Sequence, residues 1–147
     1  MADIKPITPQ ERAILDYIGK FESKGGDYDI LYGGYKGGSD KKLTDMTIRE
    51  VLSLQDKMKS SGSSAVGANQ IINPTLLEEI KKNGYNLDER FSPDMQDTII
   101  INRLNRRRGL DDFLRGEKTM EEFGLELSKE FASIPNPQTG KSYYDKD

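Results

Sequence analysis

The sequence contains no cysteine and no histidine. Without cysteine there is no disulfide, no thiol nucleophile and no thiolate metal site. Without histidine there is no Ser-His-Asp catalysis, and the commonest zinc ligand is missing. Any acid–base chemistry must therefore come from aspartate, glutamate, lysine or tyrosine, and we expect neither a metal nor a cofactor.

Long apolar runs are missing as well, because no stretch approaches the roughly 18–20 residues that cross a bilayer. We therefore expect no stable membrane insertion. The first residues lack the pattern of a signal peptide, which predicts synthesis in the cytoplasm. The 22 basic and 25 acidic residues leave a net charge of −3. Without a basic field there is little to hold nucleic acid, and we expect no such partner.

What is present is a charge-rich chain of 147 residues, a length that fits one domain over residues 1–147. Local signals mark the starts of five helices, the first of which is predicted over about 9–23. Three of these signals are capping boxes, in which a threonine is followed three residues later by a glutamate. The other two combine a polar residue with proline. The starts lie at Thr8, Thr47, Asn73-Pro74, Ser92-Pro93 and Thr119.

A glycine-rich segment follows the first predicted helix. Residues 25–38 hold six of the chain's 14 glycines, with aromatic and aliphatic residues between them. Tight turns joining short apolar pieces are typical of a small β-hairpin. The sequence therefore predicts an α+β fold, mainly helical, with a small β-hairpin after the first helix.

Glu22 stands between the first helix and this segment. It lies four residues after Ile18 and so prolongs the apolar stripe of the helix. A carboxyl group at the edge of a core is expected to have a raised pKa, and a protonated carboxyl near neutral pH is what cleavage of a glycosidic bond requires. The alternative is an ordinary glutamate at the end of a helix.

Six ordered blocks between residues 10 and 144 resemble those of the phage lambda-type endolysins. They read FES (21–23), YDILYGG (28–34), LTD (43–45), SAVGANQI (64–71), FSPDMQD (91–97) and FASIP (131–135). The resemblance implies a lysozyme-like fold and cleavage of the β-1,4 bond between N-acetylmuramic acid and N-acetylglucosamine in peptidoglycan. It further implies lytic transglycosylation, which forms 1,6-anhydro ends, with Glu22 as the single catalytic acid and base.

Two alternatives to transglycosylation stay open. One is a hydrolytic muramidase, in which a second carboxylate activates water. The candidates for it lie in or beside the predicted hairpin, where aspartate is also common in turns; they are Asp27, Asp29, Asp40 and Asp45. The other alternative is a non-catalytic glycan-binding component of a virion.

The resemblance also implies a set of substrate-binding residues. The amide of Gln70 is suited to an N-acetyl group or a sugar hydroxyl, and small residues at 64 and 65 would form a low wall. Tyrosine rings on the hairpin and near the C-terminus could stack on sugars, although packing is the commoner role of such rings. The predicted set is Ser23, Tyr28, Tyr32, Ser64, Ala65, Gln70 and Tyr143. Asn69 departs from the family, which usually has an aromatic residue there.

The biological setting implied by the resemblance is that of a phage lysin. Such a protein acts on the cell wall from the periplasm after a holin has helped it to leave the cytoplasm, or it is carried in the virion. Arg103 and residues 106–108 form one dense basic cluster. We interpret this cluster as the solvated end of a helix, where cations are favoured, with attraction to an anionic wall polymer as the alternative.

Overall fold

The computed structural model describes residues 4–145, about half of which are helical. None of the helices in this range has the length and apolar character needed to cross a bilayer. The six α-helices are α1 (Pro9–Glu22), α2 (Ile48–Met58), α3 (Asn73–Asn83), α4 (Pro93–Arg108), α5 (Leu110–Leu114) and α6 (Met120–Glu130). Two short 3-10 helices span Leu43–Asp45 and Lys59–Ser61.

The helix starts predicted from sequence are confirmed. At Thr8, Thr47 and Thr119 the side chain accepts a hydrogen bond from the backbone of the glutamate three residues on, and that glutamate accepts one in return. The Ser92 side chain caps α4 in the same way but without the reciprocal bond. The third helix differs in one detail, because Asn73 is its first residue and not its cap.

The predicted β-hairpin is wrong. Residues 4–145 contain no β-strand, only isolated bridges, so the fold is mainly helical and not α+β. The physical reason is that Ile30 and Tyr32 make their long-range backbone hydrogen bonds with residues outside the glycine-rich segment. The backbone N–H of Tyr32 donates to the carbonyl of Ala65, and the N–H of Gly67 donates to the carbonyl of Ile30. Gly25, Gly26, Gly33 and Gly34 of this segment lie in turns.

Helix α4 lies at the centre of the hydrophobic core and contacts α3, α5 and α6. Ile99, Ile101 and Leu104 on this helix are fully buried. A helix that is apolar on most of its faces belongs inside a domain. Helix α1 packs Leu15 and Ile18 into the same core, so its C-terminal end, with Glu22, is brought toward the centre of the molecule.

Candidate active site

A cavity of about 250 Å³ opens beside the end of α1, and we call it the Glu22 cavity. Its walls come from parts of the chain that are distant in sequence. Glu22 is the last residue of α1, and residues 69–72 belong to a loop. Ile100 and Arg103 lie on α4. Glu130 is the last residue of α6, and residues 131–132 follow it. Ala65 and Thr75 complete the lining. The mixture of charged, amide and aliphatic groups is typical of a site for a small polar ligand.

Glu22 is the last residue of α1 and is half-buried. Burial raises the pKa of its carboxyl, because the anion loses hydration, and a hydrogen bond from Ser133 offsets only part of this rise. The negative end of the α1 dipole also disfavours an anion here. The carboxyl therefore keeps its proton to a higher pH than an ordinary glutamate does.

The turn that follows Glu22 is fixed by Ser23. Its buried hydroxyl donates to the carbonyl of Gly19 (3.2 Å) and accepts from the N–H of Gly26 (3.0 Å). The backbones also approach closely, since a Cβ on Gly19 would lie 3.0 Å from Cα of Gly26. Ser23 thus orients the end of α1 and does not line the Glu22 cavity, contrary to its predicted role in binding substrate.

A buried glutamine, Gln55, holds the base of the loop formed by residues 64–71. The Nε2 of Gln55 donates to the carbonyls of Ser64 (3.1 Å) and Ile71 (3.0 Å), at the two ends of the loop. Its Oε1 accepts from the side chain of Asn73 (3.2 Å). Val66 and Ile71 close the loop with two backbone hydrogen bonds between them.

A second buried glutamine holds the tip of the same loop. The Oε1 of Gln96 accepts from the N–H of Ala68 (3.3 Å), and its Nε2 donates to the carbonyls of Tyr28 and Phe91 (both 3.1 Å). Gly67 is required beside it, because its φ is +82° and a Cβ there would collide with the amide of Gln96. The loop is therefore clamped at both ends by side chains inside the core.

Asn69 and Gln70 at the tip of the loop are each held in an unfavourable state, and both residues line the cavity. Gln70 adopts a left-handed backbone (φ +49°), which is uncommon for a residue with a side chain, and its amide donates to the carbonyl of Gly67 (3.1 Å). Asn69 is 2% exposed, and its Nδ2 has no hydrogen-bond partner among residues 4–145. Strain and unpaired polar groups of this kind tend to collect where a ligand binds.

The interpretation of the basic cluster as a solvated helix end is wrong. The four arginines form an ion-pair network. Arg103 is 6% exposed and contacts Glu130 (2.6 Å), Glu79 (3.0 Å) and Glu78 (3.1 Å). Arg106, Arg107 and Arg108 pair with carboxylates of the same group. Their positions turn them toward α3 and α6, where the acids lie.

One acid of this network, Glu130, forms part of the cavity wall. Burial alone would raise the pKa of Glu130, but hydrogen bonds and the positive charges of Arg103 and Arg108 outweigh burial, so the pKa is lowered. The cavity therefore has one carboxyl whose pKa is raised and a second whose pKa is lowered.

The structure brings Glu22, Ala65 and Gln70 of the predicted site together and leaves the other predicted residues elsewhere. Ser64 is buried below the loop, where its hydroxyl accepts from the N–H of Asn73 (2.8 Å). This contact stabilises the start of α3 and explains why Ser64 does not face the cavity.

The predicted tyrosines also lie outside the lining. The hydroxyl of Tyr28 donates to the buried carboxylate of Asp97 (2.9 Å), which fixes the ring against α4. Tyr32 packs against the core. Tyr143 is 43% exposed and stacks edge to face with Tyr144. The rings of Tyr28 and Tyr32 have structural partners, and Tyr143 lies on a separate exposed surface.

None of the four aspartates considered as a second acid lines the Glu22 cavity. Asp27 accepts from the N–H of Asp29, and Asp29 accepts from the N–H and hydroxyl of Thr44. Asp45 lies 3.6 Å from Arg90, and Asp40 borders a different groove. The first three serve local structure, as aspartate commonly does in turns.

Arg103 and Glu130 are charged lining residues that the sequence did not place in the site. A signal for Arg103 exists, because it lies three and four residues after Ile100 and Ile99 and so falls on the buried face of α4. Glu130 directly precedes the block at 131–135, but nothing local separates it from the other acids of α6.

Within residues 4–145 there is no group of three or more acidic side chains that could hold a metal ion. Comparison of the chain with protein-family models, curated proteins and solved structures finds no match. The function must therefore be argued from the site itself.

Proposed function

We propose that the protein is a lysozyme-like enzyme that cleaves the glycan strands of bacterial peptidoglycan, with Glu22 as its catalytic acid and base. The observation that carries this proposal is a carboxyl with a raised pKa at the edge of a cavity that also holds two side-chain amides. General acid catalysis needs a group that is protonated near the working pH and open to the substrate.

The proposed reaction has two steps. Glu22 first protonates the glycosidic oxygen as the bond from that oxygen to C1 of the muramic acid breaks. The resulting Glu22 carboxylate then takes the proton from the 6-hydroxyl of the same sugar as its oxygen bonds to C1. The products together contain all the atoms of the substrate, no water is consumed, and Glu22 returns to its protonated form.

The state of Glu130 supports transglycosylation over hydrolysis. Hydrolysis needs a second carboxylate that acts as nucleophile or activates water. Among residues 4–145, Glu130 is the only other carboxylate in the cavity lining, and its oxygens are already bound by Arg103 and Arg108. A carboxylate stabilised in this way is a weak base. The 6-hydroxyl of the substrate removes the need for it.

The choice of peptidoglycan rests on the resemblance to the lambda-type endolysins. Residues from three of the six blocks, 21–23, 64–71 and 131–135, line the Glu22 cavity. A fourth block, 91–97, supplies the Gln96 clamp. Convergence of separate blocks on one cavity is what a shared catalytic role would produce. We propose accordingly a phage lysin that acts at the cell wall, through a holin or from the virion.

Digestion of purified peptidoglycan tests the proposal. The unmodified protein should release soluble muropeptides with anhydro ends, lighter by one water than hydrolytic products. Glu22→Gln keeps the shape of the side chain but cannot transfer the proton, so release should fall on the order of 10²- to 10⁴-fold. Glu121→Gln is the matched control, since Glu121 is exposed on the first turn of α6 and should release muropeptides normally.

Each other outcome has a distinct meaning. Products with reducing ends would show a hydrolase and overturn transglycosylation alone. Full activity of Glu22→Gln would remove Glu22 from the mechanism. No release by the unmodified protein, together with retained binding to the glycan, would identify a binding component of a virion.

A further inference from the structure

The amide of Asn69 is an unsatisfied donor in the wall of the Glu22 cavity. The residue is 2% exposed, and in the described part of the chain its Nδ2 has no hydrogen-bond partner. A buried donor without a partner destabilises the folded protein. The neighbouring polar groups of the loop are already engaged, since Gln55 and Gln96 bond to its carbonyl and N–H groups.

Within residues 4–145, no side chain or backbone group accepts a hydrogen bond from this donor. A ligand in the cavity can bring an acceptor, because Asn69 is a lining residue. The left-handed backbone of the adjacent Gln70 shows that the fold keeps this loop tip in an unfavourable conformation. The unpaired amide of Asn69 and the left-handed backbone of Gln70 thus both belong to residues that line the cavity.

The surroundings of Asn69 indicate which acceptor fits. Ile71, Ile72 and Ile100 form an aliphatic wall of the same cavity, and Ile72 is 40% exposed. A group with a carbonyl oxygen next to a methyl group would satisfy the donor and cover the aliphatic wall together. An acetamido group has this structure, whereas a sugar hydroxyl would leave the wall bare.

We propose that Asn69 determines specificity by donating from Nδ2 to the carbonyl oxygen of an acetamido group on a sugar in the Glu22 cavity. This inference rests on the proposed function, in that a glycan occupies the cavity. It assigns to Asn69 the distinction between N-acetylated and plain sugars.

Two neutral tetrasaccharides test the inference by calorimetry. Tetra-N-acetylchitotetraose carries the acetamido groups, and cellotetraose has hydroxyls in their place. The unmodified protein should prefer the first. In Asn69→Leu, which has a similar shape and no donor, the preference should fall about tenfold.

The same variant should be as stable as the unmodified protein or more stable, because a buried unpaired polar group is gone. Asn69→Ala, which also lacks the donor, provides a second reading if the leucine variant folds poorly. The matched control is Asn105→Leu, since Oδ1 of Asn105 is the other buried unpartnered atom in the described chain and this residue does not line the cavity. Asn105→Leu should leave the preference between the sugars unchanged.

An undiminished preference in both Asn69 variants would overturn the inference, as would an absence of preference in the unmodified protein. These results are separate from the digestion assay. A protein that releases no muropeptides but prefers the acetylated tetrasaccharide through Asn69 would refute the enzyme and keep the specificity. Muropeptide release without this preference would do the reverse.

Discussion

The two carboxyl groups of the cavity differ because their neighbours differ. Glu22 loses water without gaining a cation, and its pKa is raised by burial. Glu130 is also buried, but Arg103 and Arg108 stabilise its anion, and its pKa is lowered. The same residue type thus favours opposite protonation states within one cavity, which is how proteins divide acid and base roles between carboxyl groups.

The raised pKa of Glu22 has a consequence for stability. A folded state that holds a proton more tightly than the unfolded state loses stability as the pH rises from the unfolded pKa to the folded one. Glu22→Gln removes this loss. We therefore expect the variant to be more stable than the unmodified protein at pH values above the folded pKa, and the difference to vanish below about pH 4, where glutamate is protonated in both states.

Urea unfolding at a series of pH values measures this difference. Glu121→Gln should show no comparable trend, because Glu121 is exposed. A stability difference for Glu22→Gln that grows toward acid would contradict the raised pKa. In the digestion assay, the rate should fall as the pH rises through the pKa of Glu22, since the acid form starts the reaction.

At the scale of elements, the base of the loop over residues 64–71 is held by the side chain of Gln55. Gln55→Leu would leave the carbonyl of Ser64 and the side-chain amide of Asn73 without the partner that Gln55 provides, and the carbonyl of Ile71 with only the N–H of Val66. We expect it to lower the free energy of unfolding by about 3 kcal/mol, as measured by urea unfolding. Gln10→Leu, an exposed change in the first turn of α1, should have little effect. Equal effects of the two would show that the clamp contributes nothing.

Which elements could be predicted follows from how local their causes are. The starts of α1, α2 and α6 are set by side chains three residues apart, and the end of α3 by Gly84 in a left-handed conformation. The predicted hairpin failed because Tyr32 pairs with Ala65, a contact that no local pattern reveals.

The same distinction holds in the candidate site. Glu22 and Gln70 could be proposed from short blocks, and they do line one cavity. Arg103 and Glu130 could not, because their roles arise only when α4 packs beside α6. The buried, unpaired state of the Asn69 amide likewise depends on where the surrounding chain lies.

At the scale of the whole molecule, the ion-pair network joins α3, α4 and α6 beneath the cavity. Arg103→Met would leave Glu79 and Glu130 buried with fewer cations. Removing one partner of a buried pair costs about 3–5 kcal/mol, and we expect a loss of this size in urea unfolding at neutral pH. The loss should shrink in acid, because the lowered pKa of Glu130 means that its contribution disappears as the pH falls through that value.

Arg115→Met is the control for this variant. Arg115 also contacts two carboxylates, Asp112 and Glu117, but all three side chains are exposed. Exposed pairs contribute little because water screens them, so this variant should unfold almost as the unmodified protein does. A loss in Arg103→Met no larger than that in Arg115→Met would show that the network does not hold the helices together.

Gly19 illustrates how far a constraint can reach from the chemistry that imposes it. A Cβ at this position would lie 3.0 Å from Cα of Gly26, closer than ordinary packing allows, so it would press on the turn that follows Glu22. Any side chain there would shift the turn after Glu22, although position 19 touches no guest. If the orientation of Glu22 is under selection, related sequences should therefore keep glycine at position 19, although this residue has no side chain that could contact a ligand.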